Sequence, residues 1–282
     1  MNLYPIDTGT FRLDGGAMFG VVPKVIWERT NPADPRNQIE MAMRCLLVQD
    51  GERLALIENG IGHKYNDRFR ELYAIDHSIT LEQSLRKAGF GAADVTDLVL
   101  THLHFDHCGG STIYNPTKER YEMAFPNATI WLQRSHWELT QHPNAREKAS
   151  FFKENIDPLM ESGQLKLLDG EKEIFPGLSV KVVNGHTAGQ QLPFIRTGKQ
   201  QVLFSSDLFP TYGHIPLPYV MGYDTQPLVT LDEREQFLPW LADEEIILFY
   251  YHDPYHECGK VVRTEKGGYK SGDTFPLKDI AG

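Results

Sequence analysis

The chain has 282 residues, 41% hydrophobic and 23% charged, enough to bury the core of one large globular domain, and no apolar run approaches the length of a membrane span. Its formal net charge of −10 opposes a nucleic-acid partner, because such binders carry basic surface that releases counterions from phosphates. Cys45, Cys108 and Cys258 stand at unrelated spacings and do not read as a disulfide framework; MNLYPIDTGTF has neither the basic start nor the apolar core of a secretory signal, so the expected compartment is the cytoplasm.

In chain order, Asp14, Gly15, Gly16, Met18 and Phe19 combine a flexible turn with apolar contacts, so residues 1–39 read either as a lip over a substrate site or as a segment packed on a sheet. Residues 41–49 and 53–57 are apolar runs around Asp50 and Gly51, which predicts a β-hairpin. Thr80 and Gln83 form a capping-box pattern that opens a helix over 80–90, with Leu81, Leu85 and Ala88 on one face. Residues 97–101 read as a short buried strand that runs straight into THLHFDHCGG. A strand follows at 128–133, then a helix opened by Ser135 with Glu138, then a helix over about 145–160 that Pro158 should end or bend. The second half predicts strands at 178–183, 192–196, 201–205 and 246–251, with a helix over 231–241 before the last. No repeat or linker divides the chain, so 1–282 reads as one α+β domain of layered-sandwich type.

The strand ends carry the chemistry. His102, His104, Asp106 and His107 follow the first of these strands, and His186, Asp207 and His252 each follow a later one. Imidazoles and carboxylates in this mixture suit zinc first, and also iron or manganese. Seven ligands are too many for one tetrahedral ion. The alternation in HxHxDH lets His102 and His104 point one way while Asp106 and His107 turn toward a neighbouring ion. The expected division is His102, His104 and His186 for one divalent ion, Asp106, His107 and His252 for a second, and Asp207 as the bridge. Two such ions about 3.5–4 Å apart share a hydroxide at neutral pH, which removes the need for a serine or cysteine nucleophile. Two divalent charges exceed those of two carboxylates and one hydroxide, so the site favours an oxyanion. Asp106 is also a candidate to orient the nucleophile or carry a proton to the leaving group.

HxHxDH, then GHTAG with His186, SSD with Asp207 and YHD with His252, in that order, resemble the metallo-β-lactamase superfamily over residues 40–255. DGGAMFGVVPK (14–24) and DLFPTYGHIPLPYVMGYD (207–224) resemble more narrowly its branch of YtnP-type quorum-quenching lactonases and methyl parathion hydrolase. The resemblance implies a four-layer αβ/βα sandwich and a binuclear hydrolase of a small ester, with a lactone such as an N-acyl-homoserine lactone as the leading substrate. A phosphotriester is the close alternative, and a homodimer is the family-based expectation. A metal-stabilised small-molecule sensor with little turnover is the alternative from another class. The family often has proline where Ala188 stands, and its lactonases carry a carbonyl-polarising tyrosine where this chain has Pro210. Tyr212 and His214 are the nearby candidates for contacting substrate. Phe209, Tyr212, Ile215, Pro216, Leu217 and Tyr219 are candidates for an acyl pocket, or for core. His256 and Cys258 read as structural, Cys108 as a small buried thiol, and His63, His77, His136 and His142 as ordinary.

Overall fold

Two β-sheets share an apolar core in the computed structural model of the chain, which describes residues 1–280. The first half supplies strands β1 (Asn2–Asp14), β2 (Gln38–Asp50), β3 (Arg53–Ile57), β4 (Asp97–Val99), β5 (Thr112–Asn115), β6 (Arg120–Met123), β7 (Thr129–Gln133) and β8 (Leu165–Leu168). β1-β2-β3-β4-β7-β8 form a six-stranded sheet in that order, and β5 and β6 a separate hairpin. The second half supplies β9 (Lys172–Phe175), β10 (Leu178–Val183), β11 (Gln190–Thr197), β12 (Gln200–Phe204), β13 (Ile247–Phe249), β14 (Cys258–Arg263) and β15 (Tyr269–Phe275), a seven-stranded sheet in the order β15-β14-β13-β12-β11-β10-β9.

The helices are α1 (Gly15–Phe19), α2 (Lys24–Trp27), α3 (Asp67–Leu72), α4 (Leu81–Lys87), α5 (Phe105–Cys108), α6 (Arg134–Gln141), α7 (Lys153–Glu161) and α8 (Pro227–Asp243). α4 packs on β1, α6 on β7 and β8, and α8 on β14, which gives the expected four layers. Pleating explains how one strand serves two of them: Val202 and Phe204 of β12 join the core between the sheets, while Leu203 joins the cluster that includes Leu238 and Leu241 of α8. None of the helices among the described residues is long and apolar enough to cross a membrane.

The hairpin pairs Asp50 with Arg53 as expected, and the Thr80 capping box opens α4. The N-terminal segment is more than a lip, since β1 pairs with β2 from Asn2 to Asp14. Its pattern is hidden by a register shift between Asp7 and Thr10, where Gly9 has φ +99° and a Cβ would meet the Asp76 carbonyl oxygen at 2.1 Å. Ser135 does not cap α6; Gln133 holds the cap position, with no side-chain cap bond. The helix expected over 145–160 begins only at Lys153, because Phe151 and Phe152 are extended and pack on His104 and Phe105 with ring centroids 5.2 and 5.5 Å apart. Pro158 lies inside α7 rather than ending it: the Glu154 carbonyl that its missing N–H would serve accepts from the Thr112 hydroxyl at 2.8 Å instead. Cys45, Cys108 and Cys258 are free buried thiols.

Candidate metal centre

β4, β10, β12 and β13 end in loops that meet at one edge of the two sheets. Gln191 stitches this edge, its backbone N–H donating to the Thr101 carbonyl and its side chain to the Leu100 and Trp131 carbonyls. Gly109 lets the histidine-bearing turn lie against the segment after β3, where a Cβ would stand 2.0 Å from the Ile61 carbonyl oxygen.

The structure brings His102, His104, Asp106, His107, His186, Asp207 and His252 together, all buried. His104 Nδ1 lies 3.1 Å from His102 Nε2 and 3.2 Å from His186 Nε2. His107 Nε2 and His252 Nε2 are 3.2 Å apart, and each is 3.6 Å from Asp106 Oδ2. Asp207 stands between the groups: Oδ2 is 3.1 Å from His186 Nε2 and 3.9 Å from His102 Nε2, while Oδ1 is 3.3 Å from both His107 Nε2 and His252 Nε2.

Three of the outer ring nitrogens have hydrogen-bond partners, and the other two face carboxylates at longer range. His102 Nδ1 meets the Thr101 hydroxyl, His186 Nδ1 the Asp224 carboxylate and His252 Nδ1 the Ala42 carbonyl, each at 2.9 Å. Glu58 lies 3.5 Å from His107 Nδ1, and Glu147 lies 3.6 Å from His104 Nε2. With Nδ1 of His186 and His252 donating outward, their inner nitrogens present lone pairs to other acceptors, an arrangement that a cation relieves. These groups are therefore able to bind metal. Burial lowers the pKa of His102 and His104; it opposes charge on His107 as well, but Asp207, Asp106 and Glu58 raise that residue well above its usual value.

Glu58, Glu147, Asp224 and His136 escaped the sequence reading. Glu58 had a signal, a carboxylate closing the apolar run LALI; Glu147 had none. His136 is not merely an ordinary core residue. Its Nε2 accepts from the Leu103 N–H at 2.9 Å and its Nδ1 donates to the Ala188 carbonyl at 2.8 Å, tying two ligand loops together. Burial, foremost, brings its pKa down to about 3, so it stays neutral.

A cleft of about 660 Å³, counted to its open mouth, leads to His104, Asp106, His186, Asp207 and His252. Leu13, Met18, Phe105 and Met221 give apolar walls, with Tyr73, Tyr223, Arg146, Glu147 and Ser150 among the polar lining. The Arg146 guanidinium donates to the Gly222 carbonyl, which joins two of the lining segments.

Tyr212 and His214 do not line this cleft. Tyr212 packs on His256 with ring centroids 4.8 Å apart, its N–H held by Asp253. His214 is buried; Nδ1 accepts from Thr211 at 2.7 Å, Nε2 donates to the Met18 carbonyl at 2.9 Å, and its ring stacks on Phe19 at 4.1 Å. It therefore supports the cleft wall from behind. His214→Ala is expected to cost about 3 kcal/mol in urea unfolding while metal content stays at the wild-type level, because two hydrogen bonds and a packed ring are lost. Of the two expectations for the segment after Asp207, acyl pocket or core, the packing matches core. Phe209 and Ile215 are core residues, Tyr212 and Leu217 pack against that core, and Tyr219 packs edge-on to Phe19. The buried Arg234 grips this segment through the Tyr219 carbonyl at 2.7 Å and the Pro216 carbonyl at 3.3 Å.

The sequence pattern of the metallo-beta-lactamase superfamily matches residues 44–252. An N-acyl homoserine lactonase of a Bacillus species is 26% identical over 238 residues, covering 80% of this chain and 86% of that protein. A probable metallo-hydrolase of Mycobacterium tuberculosis is 24% identical over 254 residues, 77% of each. A probable metal-dependent hydrolase from Staphylococcus aureus superposes with a TM-score of 0.87 at 26% identity over 98% of both chains. AidC, a dizinc quorum-quenching lactonase, superposes with a TM-score of 0.80 at 24% identity over 97% of this chain and 95% of its own. With its fold, its histidine and aspartate groups and most of its length in this pattern, the chain belongs to the metallo-beta-lactamase superfamily of metal-dependent hydrolases.

Proposed function

We propose that this protein is a binuclear lactonase, acting on an N-acyl-homoserine lactone or a related small lactone. The observation that carries the reading is Asp207, whose two oxygens face separate ligand groups. On this reading His102, His104 and His186 hold one divalent ion, Asp106, His107 and His252 a second, and Asp207 both. The donor set suits zinc, with iron or manganese as substitutes. Bound there, the ions supply Lewis acidity and a hydroxide near neutral pH.

The chain's own residues do the rest. Asp224 fixes the His186 ring by a hydrogen bond, the Glu58 carboxyl faces the His107 ring, and Asp106 carries the proton to the leaving oxygen. Leu13 and Met18 make residues 1–39 one wall of the substrate site, facing Phe105 and Met221, and an acyl chain lies along these apolar groups. Burial raises the pKa of Tyr73, and that of Tyr223 to about 12, so both phenols stay protonated and can donate to a substrate carbonyl or amide. The curated N-acyl homoserine lactonases, at about a quarter identity, add support for the substrate class.

A panel of lactones, phosphotriesters and thioesters assayed on metal-loaded enzyme tests the substrate. The highest kcat/KM is expected on a lactone. Undetectable lactone opening beside efficient cleavage of another ester class rejects this assignment, and tight lactone binding without turnover favours a sensor. Asp224→Ala is expected to weaken metal binding about 10–100-fold, measured by chelator competition, because His186 loses the carboxylate that orients it.

A further inference from the structure

A second cavity, of about 730 Å³ counted likewise to its open mouth, borders Gly110 and shares no lining residue with the metal cleft. His63, His77 and Glu82 line it, delivered by the loop after β3, the loop before α4 and the first turn of α4. The two imidazole rings lie 4.2 Å apart with their planes at 47°, and His63 Nε2 is 4.0 Å from Glu82 Oε2. Both ring nitrogens of His77 are closed off from solvent and have no hydrogen-bond partner among the described residues. Asn59 Oδ1, in the wall of the same cavity, is a third buried atom without a partner. Leaving such groups unpaired costs free energy that a ligand bound in the cavity would recover.

We infer that His63, His77 and Glu82 form a separate binding site for one transition-metal ion of the zinc, nickel or copper type. Two imidazoles and one carboxylate are borderline donors that prefer these ions to calcium or magnesium. Donors around a tetrahedral ion at about 2.1 Å stand roughly 3.4 Å apart, so the His63–Glu82 pair has to close only slightly. His63 and Glu82 are exposed enough to make that adjustment; the three donor atoms do not already lie within 4.8 Å of one another, so binding requires the His77 ring to turn toward the pair.

Copper(II) titration of enzyme already loaded at the main centre provides the test, read by dialysis and by nitrogen hyperfine coupling in electron paramagnetic resonance. One further equivalent is expected with a dissociation constant below roughly 100 µM. His63→Ala and His77→Ala should each weaken it at least tenfold, and Glu82→Gln less. In the Asp207→Ala variant the same equivalent should persist, which separates this site from the main centre. The inference is overturned if no extra equivalent binds below roughly millimolar copper, or if it survives in a His63→Ala/His77→Ala double variant. Retention of wild-type metal at the main centre shows that the double variant is folded.

Discussion

Replacing Asp207 by alanine is expected to lower kcat/KM by at least about a thousandfold, roughly 4 kcal/mol of transition-state stabilisation, and to reduce the affinity for both metal equivalents together. The joint loss is the informative part. Oδ2 faces His186 and His102, whereas Oδ1 faces His107 and His252, so one truncation removes a donor from each group. It also removes the charge that the surrounding imidazoles stabilise: against burial, His107, His186 and His252 hold the Asp207 carboxyl well below its usual pKa. Elemental analysis and turnover on the same samples decide the point. A variant with wild-type metal content and rate would show that Asp207 is not the bridge, and loss of one equivalent alone would place it in a single site.

Stripping the metals with a chelator should abolish turnover and lower the melting temperature by roughly 10 °C, both restored by adding the metal back. Ligand bound a thousandfold above its dissociation constant stabilises the folded state by about 4 kcal/mol, and each kcal/mol moves the midpoint of a chain this size by roughly 2–3 °C. The effect is large here because His102 and His107 are fully buried. Their inner nitrogens crowd other lone pairs or carboxylates in a region where water cannot screen them. A chelated protein that loses its metal but keeps its melting temperature would uncouple this cluster from the stability of the fold.

The seven candidate ligands were legible because each is a chemistry-bearing residue at the end of an apolar run, and His102 to His107 sit in one short segment whose spacing is itself a signal. The sheets were legible where alternation or continuous apolar runs are undisturbed, as at β2, β3 and β10. They were hidden where the chain departs locally from the pattern, as at the Asp7–Thr10 register shift in β1. The same limit applies to α7, whose start depends on Phe151 and Phe152 finding partners on His104 and Phe105.

The sequence by itself determined the residue types, their order and the donor chemistry, and through these the superfamily. Tertiary structure alone decided which side chains face the cleft. Tyr212 and His214 are close to Asp207 in the chain, yet the turn after Thr211 is pinned by Asp253, Thr211 and the Met18 carbonyl, and carries both away from it. Tyr73, Arg146 and Tyr223 are far apart in sequence and meet at the cleft because three loops converge there. Sequence periodicity reports which face of a regular element is apolar. The direction of a loop side chain is set by hydrogen bonds and packing that include segments distant in the sequence, as Met18 is from His214, and no local pattern encodes those contacts.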